Sequence, residues 1–84
     1  LKQTERMFAM TLDELCIGHT GVISKVGGFG PLRRRLLDMG LTPKTTVFVR
    51  KKAPLGDPIQ LFLRGYELTI RLEEANKIEI IEVK

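Results

Sequence analysis

The sequence predicts a small all-β fold, a partly open antiparallel barrel of about five strands with one short α-helix, of the SH3-like or OB-like type. Eight glycines and four prolines divide the 84 residues into segments mostly shorter than ten residues, which is typical of strands and turns. Several segments alternate apolar and polar residues with the period of two of a pleated strand. Only one segment shows helical spacing, and a chain of short strands this small hides its sheet edges best by closing on itself.

Five segments are predicted to be strands, in chain order residues 22–26, 45–52, 59–64, 66–72 and 77–83. The first two are rich in β-branched residues and stop at a glycine pair and close to a proline. In the third, Ile59, Leu61 and Leu63 lie on one face, and the fourth repeats that alternation. The dipeptide Arg64-Gly65 between them predicts a tight hairpin, because glycine adopts the positive φ that a short turn requires.

The helical segment lies between the first two strands. Pro31 suits a first helical turn, where its missing N–H has no partner to lose. Leu32, Leu36 and Met39 recur with the i, i+4, i+7 spacing of one helical face. Gly40 supplies a left-handed end. At roughly two and a half turns this helix is too short to be stable alone, so its apolar face is predicted to pack on the strands.

Length and composition favour one domain in a reducing compartment. The 84 residues are too few for a dinucleotide-binding or TIM-barrel fold. Residues 1–10 are predicted to be an N-terminal extension, which could be flexible, and residues 11–84 to be the barrel domain. The single cysteine excludes an intramolecular disulfide and fits the cytoplasm. A signal-peptide pattern and an apolar stretch of about 20 residues are both missing, which predicts a cytoplasmic protein that is not inserted in a membrane.

Three motifs, in a fixed order, carry a resemblance to a known protein family. They are GFGPLRRRLLDMGLTP at residues 28–43, APLGDPI at residues 53–59 and LTIRLEEA at residues 68–75. With them the chain, from about residue 11 to residue 81, resembles the FeoA family, small cytoplasmic proteins associated with bacterial ferrous iron uptake. Lys44 departs from the family pattern, because glycine often follows the proline there.

The resemblance implies an SH3-like barrel and a partner. That partner is the FeoB transporter, a membrane protein with a cytosolic GTPase domain, whose iron uptake a FeoA protein would assist or regulate. We therefore expect a non-enzymatic accessory protein that binds FeoB and has no small-molecule substrate and no cofactor. The alternative is a nucleic-acid-binding barrel, or a stand-alone relative of the C-terminal domain of DtxR-type metal-dependent repressors. Nucleic-acid binding is disfavoured, because single-stranded binding uses exposed aromatic clusters and the chain is only 6% aromatic.

Three consecutive arginines, Arg33, Arg34 and Arg35, are predicted to belong to the partner-binding surface. At the start of the helix they would oppose its dipole, which costs about 0.3–1 kcal/mol for each exposed cation. An acidic partner would explain that placement, and the net charge of +4 agrees with one.

Two simpler interpretations of these arginines stay open. They could only solvate one face of the helix, with Arg34 and Asp38 as a weak i, i+4 ion pair. Alternatively, one of the three could anchor the helix through a barrel carboxylate such as Asp57 or Glu74.

Phe29, Lys51 and Lys52 complete the predicted partner-binding surface. Phe29 immediately precedes the helix and is the best candidate for an exposed apolar anchor, although packing of its ring against the helix is the favoured interpretation. Lys51 and Lys52 would extend the basic face if the end of their strand lies near the helix.

Neither a metal site nor a catalytic site is predicted. Cys16 and His19 are the only cysteine and histidine, and with Asp13 and Glu14 they could form no more than a makeshift metal site. Cys16 is instead expected to fill the core as a small apolar residue, and Asp13 to start a helical turn. A cysteine–histidine pair without an orienting group or an oxyanion hole does not make a catalytic site.

Overall fold

A computed structural model describes residues 9–83 of the chain. This part contains six strands and two α-helices, in chain order β1 (Ala9–Thr11), β2 (Thr20–Val26), α1 (Gly30–Asp38), β3 (Thr46–Lys52), β4 (Ile59–Leu63), β5 (Tyr66–Ile70), α2 (Leu72–Ala75) and β6 (Ile78–Val83). A 3₁₀ turn at Leu12–Glu14 follows β1. No helix within the described residues is long and apolar enough to cross a membrane.

The strands form one antiparallel sheet in the order β1-β6-β2-β3-β4-β5, which confirms the predicted all-β fold. The five predicted strands are present, and β1 is an addition. Its three residues are too few to show an alternation in the sequence, and pairing with β6 defines it, with Ala9 opposite Ile81. The domain boundary predicted at residue 11 therefore falls within β1. Residues 1–8 lie outside the described residues, so flexibility of the extension stays a prediction.

The interior of the barrel is apolar. Alternation along β4 places Ile59, Leu61 and Leu63 inside, each at most 1% exposed, as the sequence predicts. On β6, Ile78 and Ile80 are both fully buried. Each such side chain contributes about 1.5–3 kcal/mol through removal of its apolar surface from water. This burial is the main source of stability in a chain that has one cysteine and hence no internal disulfide.

The hairpin between β4 and β5 has the predicted two-residue turn. Arg64 and Gly65 both have positive φ, at 49° and 85°, which is the type I′ geometry that matches the twist of the two strands. All five residue pairs of the hairpin are in continuous register, from Leu63 opposite Tyr66 to Ile59 opposite Ile70. By contrast, the register shifts within the β2–β6 and β3–β4 pairs.

Helix α1 packs on the barrel through the predicted face. Leu36 is fully buried, and Leu32 and Met39 are partly buried against the core. Gly40 follows the helix with φ 97°, and a Cβ there would lie 2.6 Å from the hydroxyl oxygen of Tyr66. The start of the short α2 is stabilised by Glu74, whose Oε1 accepts a hydrogen bond from the N–H of Arg71 at 2.9 Å.

Candidate interaction surface

The loop between β2 and α1 presents Phe29 to solvent, with 90% of the residue exposed. The N–H of Gly27 donates to the carbonyl of Lys77 at 2.6 Å, which fixes the start of the loop. Gly28 then turns the chain with φ 87°, a value that glycine adopts readily and other residues rarely. Phe29 has an extended backbone at the N-cap position of α1, and its exposure shows that the ring is not packed on the helix. The favoured interpretation, packing against the helix, is therefore wrong.

Arg33 braces this loop. Its Nε donates to the carbonyl oxygen of Val26, the last residue of β2, at 3.1 Å. The bond joins α1 to the end of β2, while the residue as a whole stays exposed. Arg33 thus stabilises the loop that contains Phe29 and adds a positive charge to the same surface.

Arg34 is exposed, and within residues 9–83 it forms neither an ion pair nor a side-chain hydrogen bond. The ion pair with Asp38, part of one of the two simpler interpretations, is not formed within these residues. Because α1 begins at Gly30, Arg34 lies beyond the first helical turn. The helix dipole therefore acts only weakly on its charge. The prediction that the arginines oppose the dipole is therefore wrong for Arg34 and for Arg35, which is in the last turn of this short helix, where a cation is favoured.

Arg35 anchors α1 to α2. Its Nη2 lies 2.6 Å from Oε2 of Glu74, a carboxylate whose side chain is only 6% exposed. With the N–H of Arg71 on the other oxygen, both oxygens of this buried carboxylate have donors. One of the two simpler interpretations, a barrel carboxylate bound by one of the arginines, is confirmed for this residue. The side chain of Arg35 is still 61% exposed, so it also contributes charge to the surface.

The basic segment at the end of β3 separates into different environments. Arg50 lies on the outer face of the sheet, 2.9 Å from Glu67 and 5.0 Å above the ring of Phe62. Lys52 donates to the carbonyl oxygen of Asp13 at 3.1 Å. Lys51 is exposed and lines a shallow recess of about 240 Å³. The described contacts do not join Lys51 or Lys52 to Phe29.

A second recess, of about 390 Å³, lies beside the first. Its lining includes Arg35, Asp57, Arg71 and Glu74. The two recesses share the lining residues Pro58 and Thr69. The recess lined by Lys51 therefore adjoins the recess lined by Arg35.

Leu55 and Arg71 are surface residues that the sequence analysis missed. Leu55 is 93% exposed at the tip of the β3–β4 loop. That loop is closed by the N–H of Gly56 on the carbonyl of Ala53 at 2.7 Å, and the N–H of Ala53 on the carbonyl of Pro58 at 3.0 Å. An apolar residue between proline and glycine is a sequence signal for a displayed turn tip. Arg71 had no comparable signal, because its exposure depends on where α2 begins.

The two candidate ligands Cys16 and His19 lie on the surface. Cys16 is exposed, so its predicted burial is wrong. The 3₁₀ turn buries Leu12 and Leu15 instead, and their spacing of three leaves the next residue outside. His19 Nδ1 contacts the carboxylate of Glu82 on β6. Within residues 9–83 no three histidine, cysteine, aspartate or glutamate side chains are grouped so that they could hold a metal ion.

Comparison with known proteins identifies the family. The model of the FeoA domain matches residues 10–82. The chain is also 41% identical over 71 residues to a fusion of Fe(2+) transport protein A with the Fe(2+) transporter FeoB in Porphyromonas gingivalis. That match covers 84% of this chain and only 8% of the length of the fusion protein.

Solved structures share the barrel. A FeoA-like protein from Clostridium acetobutylicum superposes with a TM-score of 0.84 at 34% identity, over 90% of this chain and 88% of that one. A FeoA from Stenotrophomonas maltophilia, solved with zinc and described as an SH3 domain protein, gives a TM-score of 0.75 at 25% identity, over 84% of this chain and 88% of that one. A manganese-dependent transcriptional repressor, at 17% identity, a TM-score of 0.81 and coverage of 89% and 37%, shares the fold alone.

The Porphyromonas gingivalis and Stenotrophomonas maltophilia relatives are named for ferrous iron transport, and the FeoA domain is not a known enzyme family. The match extends over nearly all of the described residues, and the neighbours keep the SH3-like barrel. The chain therefore belongs to the FeoA family, small SH3-like domains of ferrous iron transport.

Proposed function

We propose that this protein is a cytoplasmic accessory component of bacterial ferrous iron uptake that binds the cytosolic part of the FeoB transporter. The observation that carries the proposal is the Porphyromonas gingivalis relative, in which a segment similar to this chain is covalently joined to FeoB. A fusion keeps two modules at a high effective concentration, which is useful when the modules work in contact. The protein acts through this contact and carries out no chemistry of its own.

The surface proposed to bind FeoB consists of Phe29, Arg33 and Arg34. An aromatic ring that is 90% exposed buries a large apolar area when a partner covers it. Aromatic residues and arginine are also the types that dominate binding energy at interfaces. The bonds from Gly27 to Lys77 and from Arg33 to Val26 hold the loop in place before binding, so little conformational entropy is lost. Arg34 supplies an exposed guanidinium for an acidic group on FeoB.

The remaining predicted residues have other assignments within this proposal. Arg35 positions α1 through Glu74, and Lys52 fixes the end of β3 through the carbonyl of Asp13. Lys51 lies in the recess next to Thr69, apart from Phe29, and it is left out of the FeoB surface.

The test is a binding titration with the cytosolic region of FeoB from the same organism. The double variant Phe29→Ser/Arg34→Glu is expected to weaken binding by about 30-fold, the loss of one strong interface hot spot. Lys44→Glu is the matched charge control, because Lys44 is exposed and lies beyond the other end of α1. Its affinity should equal that of the wild type.

Undiminished binding by the folded double variant would contradict the proposed surface, and absence of binding by the wild type would contradict the proposed partner. A parallel titration with duplex DNA and single-stranded RNA at low ionic strength is expected to be flat. Nucleic-acid affinity that falls steeply with salt would support the nucleic-acid alternative instead.

A further inference from the structure

Strand β5 ends the sheet. Within residues 9–83 it pairs with β4 on one side only, and its five residues form a regular ladder without a bulge. Its sequence, Tyr-Glu-Leu-Thr-Ile, has no proline and no lysine. Proteins commonly use such residues, or a bulge, to keep an edge strand from pairing with another chain. Apart from the charge of Glu67, the edge of β5 lacks these protections within the described residues.

The register of the hairpin shows which backbone groups face outward. The residues that flank a two-residue turn form a hydrogen-bonded pair, and such pairs alternate along an antiparallel ladder with non-hydrogen-bonded pairs. Leu63–Tyr66, Leu61–Leu68 and Ile59–Ile70 are therefore the hydrogen-bonded pairs. It follows that Glu67 and Thr69 direct their N–H and C=O groups away from β4, towards the open edge.

Both residues with outward-facing backbone groups are exposed. The carboxylate of Glu67 is not free to repel an anion at full strength, because Arg50 lies 2.9 Å from one oxygen and Gln60 donates to the other at 2.6 Å. Thr69 lines both recesses described above. An extended chain laid along β5 would therefore reach the side chains of these recesses.

The recesses carry a positive balance. Their charged lining residues are four cations and two carboxylates, a net charge of 4 − 2 = +2, namely Arg35, Lys51, Lys52 and Arg71 against Asp57 and Glu74. Both carboxylates already accept hydrogen bonds, Asp57 from the N–H of Leu72 at 3.0 Å and Glu74 from two donors. Lys51 and Arg71 form no ion pair within the described residues. These two cations are available to acidic side chains of a ligand.

We propose that the β5 edge binds an extended acidic segment of a partner protein by strand addition. The N–H and C=O groups of Glu67 and Thr69 would form the main-chain hydrogen bonds, as in other domains that bind peptides at a sheet edge. Alternation along the added strand would place acidic side chains on the outer face, where Lys51 lies in the same cross-strand row as Gln60 and Thr69. This surface is separate from Phe29 and does not depend on the identity of the partner proposed above.

The probe is an octapeptide of four Val-Glu repeats with blocked termini, and the matched control is the corresponding Val-Lys peptide. The acidic peptide is expected to bind, and its affinity should fall as the salt concentration is raised. The basic peptide is not expected to bind. Amide hydrogen exchange provides the decisive readout. The amides of Glu67 and Thr69 should slow on binding, whereas the amide of Leu68, already bonded to β4, should change little.

Two substitutions at one position separate main-chain binding from side-chain contacts. Thr69→Pro removes the outward N–H but no hydrogen bond to β4, so the fold should persist, and affinity should fall by about tenfold. Thr69→Val keeps the N–H and should bind like the wild type. Lys51→Glu/Arg71→Glu should abolish binding of the acidic peptide. Phe29→Ser/Arg34→Glu should leave it unchanged, which distinguishes this test from that of the FeoB surface.

Three outcomes would overturn the proposal. One is unchanged exchange of Glu67 and Thr69 when the acidic peptide is bound. Another is equal binding of the acidic and basic peptides. The third is concentration-dependent dimerisation of the protein alone that Thr69→Pro abolishes, because the edge would then pair with a second copy of this chain.

Discussion

Two neighbouring regions of α1 use the same residue type in opposite ways. Arg34, the fifth residue of the helix, faces solvent, and so does Phe29 just before the helix. Where α1 meets α2, Arg35 binds the buried carboxylate of Glu74 at 2.6 Å. One residue along a helix is a rotation of about 100°, enough to turn a side chain from water to a neighbouring element. Adjacent arginines therefore need not share a role, and a run of charge should be divided by helix face before it is called a binding site.

The largest expected effect tests what both regions share, the seating of α1 on the barrel. Leu36→Ala empties a fully buried site and should lower the free energy of unfolding by about 2–5 kcal/mol. Because the helix carries both arginines, binding to FeoB and the Arg35–Glu74 contact should weaken together. Chemical denaturation measures the free energy of unfolding, and the FeoB titration measures the affinity for FeoB. A loss below 1 kcal/mol would show that the helix does not depend on this contact.

The next largest effect should distinguish the anchored Arg35 from the solvent-facing Arg34. Arg35→Ala leaves one oxygen of a 6% exposed carboxylate without its donor, and it should cost about 1–3 kcal/mol of unfolding free energy. A double-mutant cycle with Glu74→Gln isolates the interaction, since each single variant removes the same ion pair. Additive free energies in the cycle would mean that Arg35 and Glu74 do not stabilise the protein as a pair.

A substitution in the loop tests whether the Phe29 region is held in place before binding. Gly28 has φ 87°, and alanine in the left-handed region costs about 1–2 kcal/mol. Space does not oppose the change, because the nearest atom to an added Cβ, on Leu32, is 3.5 Å away. Gly28→Ala should therefore lower both stability and FeoB affinity. Full stability together with full affinity would show that the loop needs no fixed conformation.

The smallest expected effect completes the comparison. Arg34→Ala should change the free energy of unfolding by less than about 0.5 kcal/mol, as is usual for an exposed side chain, since Arg34 has no side-chain partner among residues 9–83. The same variant should still reduce FeoB binding. If Arg34→Ala destabilised the protein as much as Arg35→Ala, the distinction between a solvent-facing and an anchoring arginine would not hold.

Much of the fold could be predicted because it depends on local patterns. Alternation located the β4–β5 hairpin, and the Arg64-Gly65 turn follows from the conformational freedom of glycine. The spacing of Leu32, Leu36 and Met39 located α1. Strand β1 could not be predicted, because three residues carry no period and only pairing with β6 defines them.

The surface was less predictable than the fold. The predicted burial of Cys16 was wrong, because the 3₁₀ turn places Leu12 and Leu15 in the core and leaves Cys16 exposed. Phe29 was expected to pack on the helix and is instead exposed, in a loop where Gly28 has positive φ. The contact of Arg35 with Glu74 joins residues 39 positions apart, and the sequence could name Glu74 only as one of two candidates.

The sequence by itself determined a small barrel of short strands, one helix packed on it and membership of the FeoA family, because periodicity, turn residues and ordered motifs are local properties of the chain. Only the tertiary structure decided which arginine is anchored, which faces solvent and that β5 lies at an edge of the sheet. Those properties depend on distances between residues far apart in sequence, and such distances exist only once the barrel has formed.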